Sequence, residues 1–156
     1  MNDAQPQPWR VGDACDLPTP TVPSSEVESV RRMLAGKRVA VVGLSGNSYR
    51  ASFGVAAYLR AAGYEVIPVN PNEAEVMGLK SYASLREVPG PIDVVDVFRR
   101  PEFCPEVVRD AVAVGAKGVW LQSGVVSGEA ERIAREARID FVQDRCMKVE
   151  HMYRGR

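Results

Sequence analysis

The segment that most constrains the fold of this chain is residues 38–62. It contains an apolar run of strand length at 39–42, a glycine-rich turn at 43–50 and a helical pattern at 53–62. A strand, a turn and a helix in this order direct the backbone N–H groups at the start of the helix toward a bound phosphate. The segment therefore predicts a nucleotide-type fold whose ligand carries a diphosphate.

The rest of the chain continues this alternation of strands and helices. Further apolar strands are predicted at 65–69, 93–98, 118–121 and 139–142, with a short edge strand near 79–82. Helices are predicted at 25–34, from 105 to a stop at Gly115, at 128–137 and at 144–153. Strands that are apolar along their whole length indicate a parallel sheet covered on both faces. The prediction is an α/β fold with a doubly wound, mostly parallel Rossmann-like sheet of five to six strands, in the order 3-2-1-4-5-6, with helices on both faces.

The chain is predicted to contain one domain and one extended arm. Residues 1–24 carry five prolines and no hydrophobic periodicity, which indicates an extended N-terminal arm. Residues 25–156 have the length of a single domain with its own core.

Composition excludes several classes of function. Lys plus Arg equals Asp plus Glu, at 20 each, which disfavours nucleic acid or an anionic membrane as a partner. No apolar run approaches the roughly 20 residues of a membrane span, and the N-terminus lacks the apolar region of a secretory signal. Three widely separated cysteines and one histidine argue against a disulfide framework and against a metal site. We therefore expect a cytoplasmic protein without a metal.

The predicted topology indicates where a ligand would bind. In such sheets the binding crevice lies at the carboxyl ends of the strands, where the strand order reverses. Here the reversal falls between the strands that end at Gly43 and Phe98. The residues of the converging loops are Gly43, Leu44, Ser45, Gly46, Asn47 and Arg50; Asn70 and Pro71; Phe98, Arg99, Arg100 and Pro101; and Gln122, Ser123 and Gly124. Guanidinium groups in this crevice would suit phosphate, although the same arginines could be solvated surface charges.

The glycine pattern disfavours a dinucleotide. The fingerprint G-x-G-x-x-G needs an acidic residue at the end of the second strand, for the ribose hydroxyls. This chain has Gly43, Ser45 and Gly46 in the turn and Asn70 at the end of the second strand. NAD is therefore a less favoured ligand than another diphosphate.

Five blocks of residues resemble the stand-alone CoA-binding domain family, which is similar to the N-terminal domain of the succinyl-CoA synthetase alpha subunit. The blocks are Val42-Gly-Leu-Ser45, Val66-Ile-Pro-Val-Asn-Pro71, Val94-Val-Asp-Val-Phe-Arg-Arg-Pro101, Val119-Trp-Leu-Gln122 and Val142-Gln-Asp-Arg-Cys-Met-Lys-Val-Glu150. The resemblance covers residues 37–150 and implies coenzyme A or an acyl-CoA as the ligand. It implies that the first loop and the Arg99-Arg100-Pro101 loop hold the diphosphate and nucleotide, and that the Gln122 loop lines the pantetheine path. The chain departs from the family pattern at Ser123, where an apolar residue is common.

Cys146 is the candidate for a reactive thiol. It follows the last predicted strand, and Arg145 beside it could lower the pKa of the thiol. The alternative interpretation is a buried structural cysteine. Trp120, inside a strand, is predicted to be core, and Asp96 is assigned no chemistry.

The sequence favours non-catalytic binding of CoA or an acyl-CoA, with no catalytic residue on this chain. One alternative is a subunit of a multi-component acyl-CoA ligase, which would need a partner subunit. Others are an NAD(P)-binding oxidoreductase or redox sensor, and a purely structural module. The short unpaired edge strand could pair with a second copy of the chain, so a homodimer is also an alternative.

Overall fold

The computed structural model describes residues 24–154, so residues 1–23 of the arm predicted at 1–24 lie outside the described residues, and Ser24 begins the first helix. The helices are α1 (Ser24–Leu34), α2 (Ala51–Ala61), α3 (Cys104–Ala113), α4 (Gly128–Glu136) and α5 (Met147–Arg154). The strands are β1 (Arg38–Val42), β2 (Glu65–Val69), β3 (Glu75–Val76), β4 (Leu79–Lys80), β5 (Val94–Val97), β6 (Gly118–Leu121) and β7 (Asp140–Val142). No helix in this part of the chain is long and apolar enough to cross a membrane.

Five strands form one parallel sheet in the order β2-β1-β5-β6-β7. The predicted α/β fold is confirmed, and these strands have the relative order that the sequence predicted. The register aligns Val41 with Asp96 and Asp96 with Trp120. All the strands point the same way, so the loops that follow them lie at one edge of the sheet.

The sequence pattern predicted a further strand of the sheet near residue 80, but the structure has a separate hairpin there. β3 and β4 pair antiparallel with each other, and Tyr82 alone returns to the sheet, through a single parallel bridge to Val69. The reason is the turn Met77-Gly78, in which both residues have positive φ, at 58° and 75°. Two successive residues of this kind reverse the chain sharply, so the segment pairs with itself.

Alternating strand residues divide the core into two faces, as the prediction of helices on both faces requires. One face packs β-strand valines and leucines against α3 and α4, and the other packs them against α1, α2 and α5. Trp120 lies on the second face, is completely buried, and donates a hydrogen bond from Nε1 to the carbonyl of Arg145 at 2.8 Å. Its predicted place in the core is confirmed.

Candidate functional site

Four loops meet at the carboxyl edge of the sheet. The backbone ladder continues just past the strands: Gly43 donates to the Val69 carbonyl at 2.8 Å, Phe98 to Val42 at 2.9 Å and Gln122 to Val97 at 3.4 Å. These bonds fix the starting points of the first loop (43–50), the second loop (70–74), the third loop (98–103) and the fourth loop (122–127) side by side. The structure therefore brings together the loops that the topology predicted to converge.

Gly43 is required by close backbone packing. Its φ is +83°, and a Cβ added there would lie 2.4 Å from the Phe98 carbonyl oxygen and 3.4 Å from Cδ of Arg99. A side chain at this position would collide with the third loop, so only glycine permits the two loops to meet. The next residue, Leu44, is completely buried, so its side chain packs in the core and does not face the crevice.

The first loop is held in shape by its own polar groups. The Ser45 amide donates to Oγ of Ser52 at 3.1 Å, and the Asn47 amide donates to Oγ of Ser45 at 3.1 Å. Oδ1 of Asn47 accepts from the Tyr49 amide at 3.0 Å. The loop is therefore ordered before any ligand arrives, and the Asn47 side chain that was predicted to contact the ligand supports the backbone.

The first loop leads into a helix whose positive end is not neutralised. The N-cap of α2 is Arg50, its side chain makes no capping hydrogen bond, and the first turn contains no acidic residue. By contrast, α4 is capped by Ser127 and carries Glu129 and Glu131 in its first turn. Free amides and the helix dipole at such an end attract an anion. The start of α2 is thus the strongest feature for binding phosphate at this edge.

The second loop is tied to the first by Asn70. Its Nδ2 donates to the Leu44 carbonyl at 3.0 Å, and its Oδ1 accepts from the Asn72 amide at 2.9 Å. The Asn70 side chain, which was predicted to contact the ligand, therefore joins the first and second loops. Pro71, which follows it, is exposed.

A carboxylate from the second loop reaches the first loop, which the sequence did not predict. The amide of Gly46 donates to Oε1 and Oε2 of Glu73, at 3.1 and 2.9 Å. The dinucleotide fingerprint requires an acidic residue at the end of β2, and this chain has Asn70 there. Glu73 comes four residues after that strand, and the fold of the loop alone directs it back to Gly46, so no sequence spacing would have revealed it.

The third loop contributes two arginines without acidic partners. Arg99 is half-buried and Arg100 exposed, and neither forms an ion pair with a carboxylate of residues 24–154. The Arg99 guanidinium lies 4.7 Å from the centroid of the Phe103 ring. Arg50 at the start of α2 is likewise exposed and forms no ion pair with a described residue. Three guanidinium groups are thus available to phosphate at this edge.

Between the second and third loops lies a cavity of about 210 Å³. Its lining is mixed and includes Val42, Val69, Leu85, Arg99, Phe103, Glu106 and Asp110. An aromatic ring and a guanidinium beside apolar and acidic side chains suit a flat ring system with polar edges, such as a nucleobase.

The fourth loop covers a buried carboxyl group. Gln122 is 5% exposed and its Nε2 donates to Oδ1 of Asp96, which is completely buried. Oδ2 of Asp96 has no hydrogen-bond partner in the described part of the chain. Burial raises the pKa of Asp96 to about 7, against the opposing effect of the Gln122 hydrogen bond. The Gln122 side chain therefore points into the core, whereas Ser123 and Gly124 of the same loop are exposed.

The segment after β7 adjoins the fourth loop. The Gly124 amide donates to Oδ1 of Asp144 at 2.8 Å. Arg145, the predicted activator of the Cys146 thiol, forms ion pairs with Glu26 at 2.9 Å and Glu150 at 3.1 Å. Its charge is therefore compensated by two carboxylates. Cys146 is half-buried against the apolar cluster that contains Trp120.

Comparison with known proteins identifies relatives over most of the chain. A family model described as a CoA binding domain matches residues 37–152. The protein YneT of Bacillus subtilis (strain 168), described as uncharacterized, is 42% identical over 127 residues, which are 81% of this chain and 94% of YneT. A solved structure of a hypothetical protein from Pyrococcus horikoshii OT3 is 41% identical and superposes with a TM-score of 0.77, over 80% of this chain and 89% of that chain. The resemblance drawn from the five sequence blocks is confirmed.

A more distant relative is an enzyme of known reaction. Acetate--CoA ligase [ADP-forming] II of Archaeoglobus fulgidus is 29% identical over 114 residues. The match covers 72% of this chain but 17% of the ligase. The shared part is thus a small fraction of that enzyme.

Proposed function

Because this chain belongs to the CoA binding domain family, we propose that it binds coenzyme A or an acyl-CoA at the carboxyl edge of its sheet. The observation that carries the proposal is the uncapped start of α2, which lies after the first loop and has no acidic residue in its first turn. Coenzyme A carries a diphosphate and a further phosphate on its ribose, and both need positive groups. The edge supplies the amides of α2 together with Arg50, Arg99 and Arg100.

Each part of the ligand has a matching part of the crevice. The start of α2 and Arg50 would hold the diphosphate, and Arg99 and Arg100 would hold the remaining phosphate. The cavity of about 210 Å³ beside Phe103 would take the adenine ring. The pantetheine arm would then run along the fourth loop, past Ser123 and Gly124.

The role we propose is non-catalytic binding, in which the protein carries or senses the CoA species. The match to an ADP-forming ligase favours a second candidate, a subunit that presents CoA to a partner enzyme. In that case turnover would occur only with a second protein present. A preference for NADH over CoA would instead support an oxidoreductase.

We expect CoA or acetyl-CoA to raise the melting temperature, and NAD, NADH and ATP to have smaller effects. A ligand that binds only the folded state stabilises it by about 2.7 kcal/mol at a hundredfold excess over its dissociation constant. The measurement is thermal unfolding of the full chain with each ligand at millimolar concentration. Equal shifts with NADH and CoA, or no shift with either CoA species, would contradict the proposal.

The double variant Arg99→Ala/Arg100→Ala is expected to weaken CoA binding at least tenfold. Each charge-assisted hydrogen bond to phosphate contributes on the order of 1.5–3 kcal/mol. Isothermal titration calorimetry with CoA gives the affinity. The control is Arg31→Ala/Arg138→Ala, which removes the same charge from two exposed positions near the opposite edge of the sheet. Similar losses in both double variants would indicate general electrostatics and no specific contact.

We further propose that Cys146 forms a mixed disulfide with CoA by exchange with CoA disulfide. A Cys146 thiolate would attack oxidised CoA disulfide, bond to one sulfur and release the other CoA as a thiol. The experiment treats a Cys15→Ser protein with CoA disulfide and locates the adduct by peptide mass spectrometry. Cys104 is the internal control, because it is completely buried and its burial raises the pKa of its thiol. An adduct on neither cysteine would identify Cys146 as structural.

A further inference from the structure

The carboxylate of Glu73 lies against the backbone of the first loop. Both of its oxygens lie within hydrogen-bond distance of the Gly46 amide, at 3.1 and 2.9 Å. A Cβ added to Gly46 would lie 2.9 Å from Oε2, so the carboxylate sits directly against the glycine backbone. This loop leads into the uncapped start of α2.

Glu73 differs from the other groups that satisfy the first loop. Ser45, Asn47 and Ser52 are neutral acceptors that belong to the loop itself or to α2. Glu73 is charged and comes from the second loop. It forms no ion pair with a Lys or Arg of the described chain, so its charge is not compensated nearby.

The second loop is built so that Glu73 reaches Gly46. Asn70 ties this loop to the Leu44 carbonyl, and the Glu73 amide donates to the Asn70 carbonyl at 3.4 Å. The hairpin of β3 and β4 then begins two residues later, at Glu75. The carboxylate is therefore attached to a short, fixed segment and needs only a side-chain rotation to leave Gly46.

We propose that Glu73 is an internal competitor for the ligand phosphate: its carboxylate holds the Gly46 amide in the free protein and is displaced when phosphate binds. The inference rests on the proposed function, because it concerns the same loop. A carboxylate and a phosphate are both anions, so they cannot share one N–H donor, and they repel each other at short range. Glu73 thereby lowers the affinity for every phosphate ligand and selects those with enough other contacts to displace it.

The test compares Glu73→Gln with the wild type in calorimetric titrations. Glutamine keeps the shape and one acceptor oxygen, so it can still hold Gly46 but no longer opposes an anion. We expect about fivefold tighter binding of both CoA and inorganic pyrophosphate, because a partly exposed carboxylate is displaced at moderate cost. The matched control is Glu75→Gln, which removes the same charge from an exposed residue two positions away and should leave both affinities unchanged in about 0.15 M salt.

A second measurement tests the contact itself. In 1H–15N NMR spectra of the free protein, the Gly46 amide is expected to shift in Glu73→Gln and to stay in place in Glu75→Gln. Pyrophosphate should move the Gly46 signal in the wild type, and the Glu73→Gln variant should need about fivefold less for half the effect.

The outcomes separate this inference from the proposed function. Unchanged or weaker binding of CoA in Glu73→Gln, with normal binding in the wild type, overturns the inference and leaves the proposed function intact. Failure of CoA to bind any variant overturns the proposed function. The pyrophosphate titration then still decides: a tighter response of Gly46 in Glu73→Gln supports the competitor role, and equal responses overturn it.

Discussion

When the pH rises from 5 to 8, the free energy of unfolding of the wild type is expected to fall by roughly 3 kcal/mol relative to that of the Asp96→Asn variant. Asp96 is completely buried in the middle of β5, and burial raises its pKa to about 7 from an ordinary value of 3.8. Between these two values the folded protein keeps the proton and the unfolded chain loses it. The free energy of unfolding of the wild type therefore falls as the pH rises through this window, and levels off above the folded-state pKa.

Asparagine removes this pH dependence because its side chain does not ionise. Its Oδ1 can still accept the hydrogen bond from Gln122, while its NH2 group takes the place of Oδ2, which has no partner among the described residues. An unpaired amide costs about the same at every pH, so the change with pH isolates the carboxyl group. The measurement is urea denaturation of both proteins at several pH values between 5 and 8.

Asp93→Asn provides a control with the opposite sign. The backbone amide of Arg38 is the largest of the interactions that hold the pKa of Asp93 below its ordinary value, with further help from Lys37 and Lys117. The ionised Asp93 carboxylate stabilises the folded protein above about pH 4, and this stabilisation is lost only as the pH falls below that value. The stability difference between Asp93→Asn and the wild type should thus stay constant from pH 5 to 8. A constant difference for Asp96→Asn as well would show that Asp96 is not protonated in the folded protein.

Replacement of Gly43 by alanine is expected to cost about 3 kcal/mol or more and to abolish CoA binding. Two effects act together: a left-handed backbone, which is unfavourable for alanine, and a Cβ placed 2.4 Å from the Phe98 carbonyl oxygen. The Phe98 backbone is held in the ladder by its bond to Val42, so it cannot retreat without breaking that pairing. The first and third loops would separate, and the crevice between them would lose its shape. Urea denaturation and calorimetry with CoA give the two effects.

Gly124→Ala separates backbone strain from the collision. Its φ of +82° matches that of Gly43, but nothing lies within 4 Å of the added Cβ. We expect a loss of about 1 kcal/mol, which is the strain alone. Equal losses in the two variants would mean that the approach of Phe98 to Gly43 does not constrain the fold.

The secondary structure and the sheet were largely predictable because their signals are local. The apolar runs predicted β2 and β6 with their observed bounds, and the alternation of strands with helices predicted the parallel order. The prediction that the segment near residue 80 forms a strand of the main sheet was wrong. Its direction depends on the positive φ of Met77 and Gly78, and sequence periodicity does not report the φ of a non-glycine residue.

The candidate site was predictable in position but not in its side chains. Topology placed the loops at one edge, and Arg50, Arg99 and Arg100 lie there without acidic partners in the part of the chain that the structure describes. Four of the other predicted residues stabilise the protein itself. Leu44 and Gln122 are buried, and the side chains of Asn47 and Asn70 hydrogen-bond to the backbone of the loops.

The sequence by itself determined the fold class, the edge of the sheet that carries the loops, and the family, since these depend on the order and periodicity of residues. The tertiary structure alone decided which side chains meet. Glu73 reaches Gly46 across 27 positions, and Gln122 reaches Asp96 across 26. Contacts over such distances are set by the packing of strands and by the path of loops. No spacing along the chain encodes them.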